Sequence, residues 1–143
     1  MEPFVLEDFI PYQLVVLANR TSAEFSQRYR EKFGISVPEW RVVAHLSQAE
    51  KVSVREIYTR VEMDKSKVSR AAARLVSAGY VRKDVGRHDK RLIELSLTKK
   101  GRDMAHEIGG MARDFQADFL ARLDRKSADY FSGSLAKYLS EKT

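Results

Sequence analysis

Nine of the 26 lysines and arginines in this 143-residue chain fall in one stretch, from residue 65 to residue 91. They are Lys65, Lys67, Arg70, Arg74, Arg82, Lys83, Arg87, Lys90 and Arg91. The acidic residues of the stretch are Asp84 and Asp89, so it carries +7 while the whole chain carries +6. Lysine and arginine side chains clustered in this way neutralise phosphates. The chemistry indicated is therefore binding to a polyanion such as a nucleic acid.

The first half of this stretch has the period of an amphipathic helix. Val68, Ala72 and Leu75 form its apolar stripe. Small and basic side chains lie on the opposite face, at Ser66, Arg70, Ala73 and Ser77, with Lys67, Ser69 and Arg74 flanking them. Small side chains let a helix approach DNA closely, and arginine can form a paired hydrogen bond to guanine. We predict that this face, with Lys65 at its start, reads a DNA groove; an ordinary solvated helix surface is the alternative.

Helix caps mark the elements that precede this stretch. The spacing of apolar residues predicts a first helix from Ile10 to Phe33, and Gly34 ends it. Ser36-Val37-Pro38-Glu39 and Ser53-Val54-Arg55-Glu56 have the pattern of capping boxes, in which serine and glutamate satisfy the free amides of a helix start. They predict a second helix and a third helix of about two turns, whose apolar stripe is Val54, Ile57, Tyr58 and Val61.

The order of the following elements indicates the fold. Asp64 is a plausible cap for a fourth helix from Lys65 to Ala78, and Gly79 ends it. Tyr80–Val85 and Arg91–Leu97 are rich in strand-forming residues and predict a two-stranded hairpin. Helix, short turn, helix and hairpin is the order of a winged helix-turn-helix, whose second helix enters the major groove. The predicted fold class is mainly α with a small β-hairpin wing.

The hairpin tip is charged. We predict that Arg87, Lys90 and Arg91 enter the minor groove or bind phosphate, with a merely solubilising tip as the alternative. A carboxylate among cations that face DNA would repel phosphate. Asp89 is therefore expected to pair with a nearby arginine and stiffen the wing, or else simply to form the turn.

Two further helices follow the hairpin. One is predicted from Thr98 to about Leu123, with Gly109-Gly110 as a weak point or a site of close contact, and the last runs from Asp124 or Ser127 to Leu139. The helices at the two chain ends carry more large apolar residues than a small winged domain can cover. A two-fold dimer would bury them; a monomer that folds its own ends together is the alternative.

Several short motifs together resemble the MarR family of bacterial transcriptional regulators. They are Met63–Arg70, Arg74-Leu75, Gly79-Tyr80-Val81, Asp89-Lys90-Arg91 and Leu97-Thr98-Lys99-Lys100-Gly101. The similarity in helix order covers nearly the whole chain. It implies one domain over residues 1–143, with a winged core at about 36–98 and dimerisation helices at about 10–33 and 99–140.

The resemblance also implies a function. It is that of a homodimer that binds a pseudo-palindromic double-stranded DNA operator, represses by occluding a promoter, and is commonly released by a small aromatic or phenolic effector. The recognition-helix contacts of the family correspond to Ser66, Lys67, Ser69 and Arg70, and its wing arginine corresponds to Arg91. Lys90 departs from the pattern, because many members have a second arginine there.

An effector site is only weakly indicated. The resemblance places it beside the first two helices, where Tyr12, Arg20, Trp40 and Arg41 lie. An arginine beside aromatic rings suits an aromatic carboxylate. The alternatives are core packing for Trp40 and surface or interdomain pairing for the two arginines.

Other classes of protein are disfavoured. The chain has no cysteine, which excludes disulfides and thiolate metal sites, and His45, His88 and His106 are scattered, so no metal site or cofactor is expected. Neither a phosphate loop nor a nucleophile elbow is present, so we do not expect an enzyme. The sequence lacks a signal peptide and a membrane-spanning run, which favours a cytoplasmic protein. The remaining rival is a winged-helix module for protein interaction or RNA binding, without operator specificity.

Overall fold

The computed structural model describes residues 1–49, 52–60, 63–86 and 93–141. Within these ranges the chain forms six α-helices and three strands. The helices are α1 (Ile10–Phe33), α2 (Val37–Leu46), α3 (Val54–Arg60), α4 (Lys65–Ser77), α5 (Lys99–Ala121) and α6 (Arg125–Ser140). The strands are β1 (Val52–Ser53), β2 (Val81–Val85) and β3 (Ile93–Leu97), and a 3₁₀ turn at Leu6–Asp8 precedes α1. The predicted fold class is confirmed.

Local caps explain most of the helix boundaries. Gly34 ends α1 in the left-handed conformation, with φ of 69°. Both halves of the first capping box are formed, because Glu39 N–H donates to Ser36 Oγ at 3.3 Å and Ser36 N–H donates to Glu39 Oε2 at 2.7 Å. At the start of α3, Glu56 N–H donates to Ser53 Oγ at 3.1 Å, and the Ser53 hydroxyl donates to Glu56 Oε1 at 3.3 Å. The first predicted capping box is therefore complete, whereas at α3 only its serine half is seen, because Glu56 accepts the Ser53 hydroxyl instead of the Ser53 N–H.

The sheet is antiparallel with the order β1-β3-β2. Lys83 of β2 and Val52 of β1 are both paired with Leu95 of β3. The hairpin was predicted, but β1 was missed, so the two-stranded sheet expected from the sequence is corrected to three strands. Two residues are too few to show the alternation by which a strand is recognised in a sequence.

The chain divides into two compact units, Met1–Ile108 and Gly109–Thr143. The core of the first unit combines buried residues of α1 to α4, the sheet and the first turns of α5: Tyr29, Ile35, Val42, Val43, Leu46, Val52, Ile57, Val68, Ala71, Ala72, Leu75, Val81, Leu95, Leu97, Met104, Ala105 and Ile108. In the second unit, Phe119 and Phe131 have ring centroids 6.0 Å apart, and Asp124 caps α6 by accepting Ser127 N–H at 2.8 Å. The single domain expected from the resemblance stays a prediction.

The glycine pair in α5 does not behave as predicted. The helix continues through Gly109 and Gly110, and a Cβ built at either position meets the Arg113 guanidinium at 3.9 and 3.8 Å, which is ordinary contact. The close approach lies earlier in the helix, at Gly101, where a Cβ would overlap the carbonyl oxygen of Tyr80. The close contact expected at the glycine pair is therefore not seen among the described residues, because spacing alone does not show which glycine faces another backbone, and the weak point expected there stays a prediction.

Candidate nucleic-acid interface

The start of α4 is organised by Asp64. Its Oδ1 accepts a hydrogen bond from Lys67 N–H at 2.9 Å and another from the Ser66 hydroxyl at 2.8 Å. The amide of Lys67 lowers the pKa of Asp64, and the Ser66 hydroxyl and the charges of Lys67 and Arg70 add to this effect. The carboxylate is therefore ionised at neutral pH and compensates the positive end of the helix dipole.

Asp64→Asn tests this cap. Because the pKa of Asp64 is lowered in the folded state, its ionised form contributes stability above the ordinary value of 3.8, and that contribution is lost as pH falls through the lowered pKa. Urea unfolding from about pH 6 down to about pH 3 should show the variant less stable than the parent at high pH, with the gap closing at low pH. A gap that stays constant across this range would contradict the assignment.

The apolar stripe of α4 faces the core as predicted. Val68, Ala72 and Leu75 are buried, together with Ala71. The remaining predicted positions are all exposed: Lys65, Ser66, Lys67, Ser69, Arg70, Ala73, Arg74 and Ser77. Four cations and three hydroxyls thus share the solvent side of one 13-residue helix. The face has the size and charge to lie against a phosphate backbone and base edges.

A tyrosine of α3 joins this face, and sequence reasoning missed it. The hydroxyl of Tyr58 lies 2.8 Å from Ser69 Oγ, and the ammonium of Lys65 lies 5.7 Å from the centre of the Tyr58 ring. Tyr58 had been assigned only to the buried stripe of the third helix. The missing signal was the crossing of α3 and α4, which brings residues 58 and 69 together although 11 positions separate them.

The basic residues of α4 differ in their partners. Arg74 Nε donates to Glu39 Oε1 of α2 at 2.7 Å. Within the described ranges, neither Lys67 nor Arg70 makes a side-chain hydrogen bond or ion pair. Lys67 and Arg70 are therefore the α4 cations best placed to meet an external anion, while Arg74 is already engaged.

Residues of the β3–α5 junction hold the other end of α4. Gly79 has φ of 84° and follows the last turn. The Thr98 hydroxyl donates to the Gly79 carbonyl at 2.7 Å, and Lys100 Nζ donates to the Ala78 carbonyl at 2.8 Å. The same ammonium lies 4.5 Å from the centre of the Tyr80 ring. These contacts satisfy carbonyls that a helix end leaves without partners.

The hairpin adds exposed cations on β2. Arg82 and Lys83 are exposed, and Arg82 Nη2 lies 3.7 Å from Asp84 Oδ2. The four residues assigned to the tip, Arg87, Asp89, Lys90 and Arg91, lie outside the described residues. Their roles stay predictions.

Two of the four candidate effector residues lie together. Trp40 is half-buried, with its ring 5.9 Å from that of Phe25 and 5.8 Å from that of Tyr29. Arg41 is exposed and lies close enough to Tyr29 to act on its ionisation. Burial raises the pKa of Tyr29, and the charges of Arg30 and Arg41 oppose that shift. Trp40 therefore packs partly against the core, which was the alternative considered for this residue.

The other two candidates lie earlier on α1. Tyr12 precedes Phe25 by 13 positions, which corresponds to about 20 Å along a helix axis. Arg20 is five positions before Phe25 and is exposed. One protomer therefore does not bring Tyr12 next to the Trp40 ring.

Both chain ends expose apolar side chains. The residues of α1 that are buried, Ser26 and Tyr29, lie in its second half, and α6 has no buried residue over its described length. Near the start of the chain the exposed large apolar residues include Phe4, Val5, Leu6, Phe9, Ile10, Tyr12, Leu14, Val15 and Leu17, and in α6 they are Tyr130, Leu135, Tyr138 and Leu139. Ile10 is 65% exposed and Leu139 is 83% exposed. Clustered exposed apolar side chains are typical of interaction surfaces.

Comparison with known proteins identifies the family. A model of the MarR family matches residues 33–92, which include α2, α3, α4 and β2. A solved MarR family transcriptional regulator from Silicibacter pomeroyi shares 26% identity with the chain and superposes with a TM-score of 0.82, covering 96% of this chain and 97% of that one. Residues 33–92 of the chain therefore match the MarR family of transcriptional regulators. The resemblance inferred from the short motifs is thus confirmed.

The chain is also similar to other DNA-binding regulators. The HTH-type transcriptional regulator TtmR of Methylorubrum extorquens is 29% identical over 109 residues, covering 69% of this chain and 56% of that protein, so the chain spans little more than half of TtmR. A Bordetella bronchiseptica BpsR structure, described as a mechanism for regulation of DNA binding by 6-hydroxynicotinic acid, has a TM-score of 0.83 at 17% identity and covers 99% of this chain and 100% of that one. These relatives are transcriptional regulators and not enzymes.

Neither a metal-binding cluster nor a membrane-spanning helix is found in the part of the chain that the structure describes. They contain no group of three or more His, Cys, Asp or Glu side chains arranged to hold a metal ion. None of the helices in the described ranges is both long enough and apolar enough to cross a membrane.

Proposed function

We propose that this MarR family chain binds a pseudo-palindromic DNA operator as a homodimer and regulates transcription in the cytoplasm. The observation that carries this proposal is the exposed face of α4, where small and basic side chains coincide with the second helix of a helix-turn-helix. In such motifs the second helix lies in the major groove and the first crosses the backbone. The proposed contacts are Lys65, Ser66, Lys67, Ser69 and Arg70.

The hairpin extends the proposed contact to the adjacent minor groove. Arg87, Lys90 and Arg91 would reach its narrow, negatively charged floor or the phosphates beside it, and Asp89 would hold one of these cations in place. Arg82 and Lys83 on β2 add positive charge at the base of the same hairpin. These contacts would raise the affinity for DNA and the dependence of binding on salt. They would contribute less to discrimination between bases.

The dimer follows from the exposed apolar residues of the chain ends. A two-fold dimer buries the same patch on both copies and presents two copies of α4 to successive major grooves. Symmetry of the protein then requires symmetry of the DNA site, which is why the proposed operator is pseudo-palindromic.

We further propose that a small aromatic acid or phenol releases the DNA and so relieves repression. Trp40 and the neighbouring Arg41 offer a ring surface and a cation, a pair that suits an aromatic carboxylate. The BpsR structure supports this ligand class, because its description names 6-hydroxynicotinic acid as the regulator of DNA binding by that protein. Tyr12 would join such a site only from a second copy of the chain, whereas Arg20 lies within one and a half turns of Phe25 on the same helix.

A selection experiment tests the operator proposal. The purified protein is used to enrich a duplex from a random-sequence library, and fluorescence anisotropy then compares the enriched duplex with a scrambled duplex at two salt concentrations. We expect a pseudo-palindromic winner bound at least about 1,000-fold more tightly than the scramble. Equal, salt-sensitive binding to both duplexes would contradict the proposal and favour the alternative module for protein interaction or RNA binding.

Arg70→Ala tests the reading face. Arg70 is exposed on α4 and, among the described residues, has no hydrogen-bond partner, so its guanidinium is available to a base. The variant should lose about 1–3 kcal/mol of affinity for the enriched duplex and part of the preference at one base position. Arg125→Ala, an exposed arginine at the start of α6, is the matched control. Unchanged affinity in Arg70→Ala would remove this residue from the readout set.

A further inference from the structure

The carboxylate of Glu39 has two separate partners. One oxygen, Oε2, accepts the backbone N–H of Ser36 at 2.7 Å and so completes the cap of α2. The other, Oε1, accepts Nε of Arg74 on α4, also at 2.7 Å. Glu39 is only 7% exposed. A carboxylate withdrawn from water to this degree depends on such partners, so Arg74 supplies a contact that Glu39 needs.

This ion pair adds a polar contact between two helices that also contribute to the apolar core. α4 buries Val68, Ala71, Ala72 and Leu75. Apolar burial is not directional, whereas a charge-assisted hydrogen bond requires a defined geometry. The bond between the cap residue of α2 and Arg74 therefore constrains the orientation of α4.

We propose that Arg74 is a positioning residue: through Glu39 it fixes the orientation of α4 on α2, and it does not contact DNA. The inference rests on the proposed operator binding and revises the role expected for Arg74 from the sequence. The side chain of Arg74 is 52% exposed, so exposure alone leaves a phosphate contact open as a rival role. The two roles predict different affinities for the enriched duplex when Glu39 loses its charge.

The test uses Glu39→Gln, Arg74→Met and the double variant. Glutamine keeps an oxygen that can accept the Ser36 amide but loses the charge that holds Arg74, and methionine keeps an apolar stem in place of the guanidinium. Lys67→Met is the matched control for a phosphate contact. Full-length variants, verified as folded by circular dichroism and as unchanged in mass by light scattering, are titrated with the enriched and scrambled duplexes at several salt concentrations.

The positioning role predicts that both single variants lose about tenfold in the ratio of affinities for the two duplexes, the worth of one charge-assisted hydrogen bond. The double variant should lose no more than either single variant, because both break the same contact. The slope of log affinity against log salt should stay unchanged in Arg74→Met but decrease by about one in Lys67→Met.

A phosphate contact predicts the opposite pattern. Glu39→Gln would then free Arg74 and remove a negative charge, so binding would stay equal or become tighter, and Arg74→Met would lower the salt slope as Lys67→Met does. That result would overturn the inference while leaving operator binding intact. If the parent protein itself does not prefer the enriched duplex, the proposed function fails, and the inference fails with it.

Discussion

Gly101→Ala is expected to lower the free energy of unfolding by about 3 kcal/mol or to prevent folding altogether. A Cβ at position 101 would overlap the carbonyl oxygen of Tyr80 and lie 3.0 Å from its carbonyl carbon. That carbonyl cannot swing aside freely, because it accepts Thr98 N–H at 3.0 Å. The clash is therefore with backbone atoms, which side-chain rotation cannot relieve.

Gly109→Ala provides the matched control in the same helix. Its added methyl group meets the Arg113 guanidinium at 3.9 Å, the far end of a flexible side chain. Replacing a glycine inside a helix with alanine should raise the free energy of unfolding by about 0.5–1 kcal/mol. Urea unfolding of both variants should give changes of opposite sign. Equal changes would show that the approach of α5 to Tyr80 is not as close as described.

The second large effect is expected from charges placed on the first turns of α1. In Ile10→Glu/Leu14→Glu, two exposed apolar residues of one helix face become anionic, and like charges would meet if two copies pair through this surface. Light scattering should then give the 16.4 kDa mass of one chain instead of twice that mass. Affinity for the enriched duplex should fall by a factor of about 10²–10⁴, because the two half-sites are no longer bound by one linked molecule.

Val85→Glu is the control for this pair of substitutions. Val85 is a large apolar residue of β2 that is also exposed, yet it lies outside the chain ends to which the dimer is assigned. The control should keep twice the chain mass. A double variant of α1 that also keeps the dimer mass would place the interface elsewhere and contradict the assignment.

The sequence predicted the helices well because their signals are local. The bounds of α1, the capping box of Ser36 and Glu39, and the cap by Asp64 each depend on residues within one or two turns. The basic and small face of α4 was also predicted, since a helical period determines which side chains share a face. The composition also predicted the strands of the hairpin, although β2 begins at Val81, one residue later than predicted.

The parts of the site that were missed depend on contacts between distant residues. The hydrogen bond from Arg74 to Glu39, which lies 35 positions away, has no local sequence signal. Tyr58 was assigned to a core stripe, and only the crossing of α3 and α4 brings its hydroxyl to Ser69. β1 was missed because two residues carry no period of their own and become a strand only by pairing with β3.

By itself, the sequence of this protein determined where helices start and end, which face of α4 is polar, and that positive charge is concentrated in one stretch. Each of these depends on neighbours along the chain, whose geometry the backbone sets directly. The tertiary structure alone decided which cations of α4 remain available and which glycine meets another backbone. Those outcomes depend on how separate elements pack, and close packing makes a bond or a clash depend on shifts of a few tenths of an ångström that no local pattern encodes.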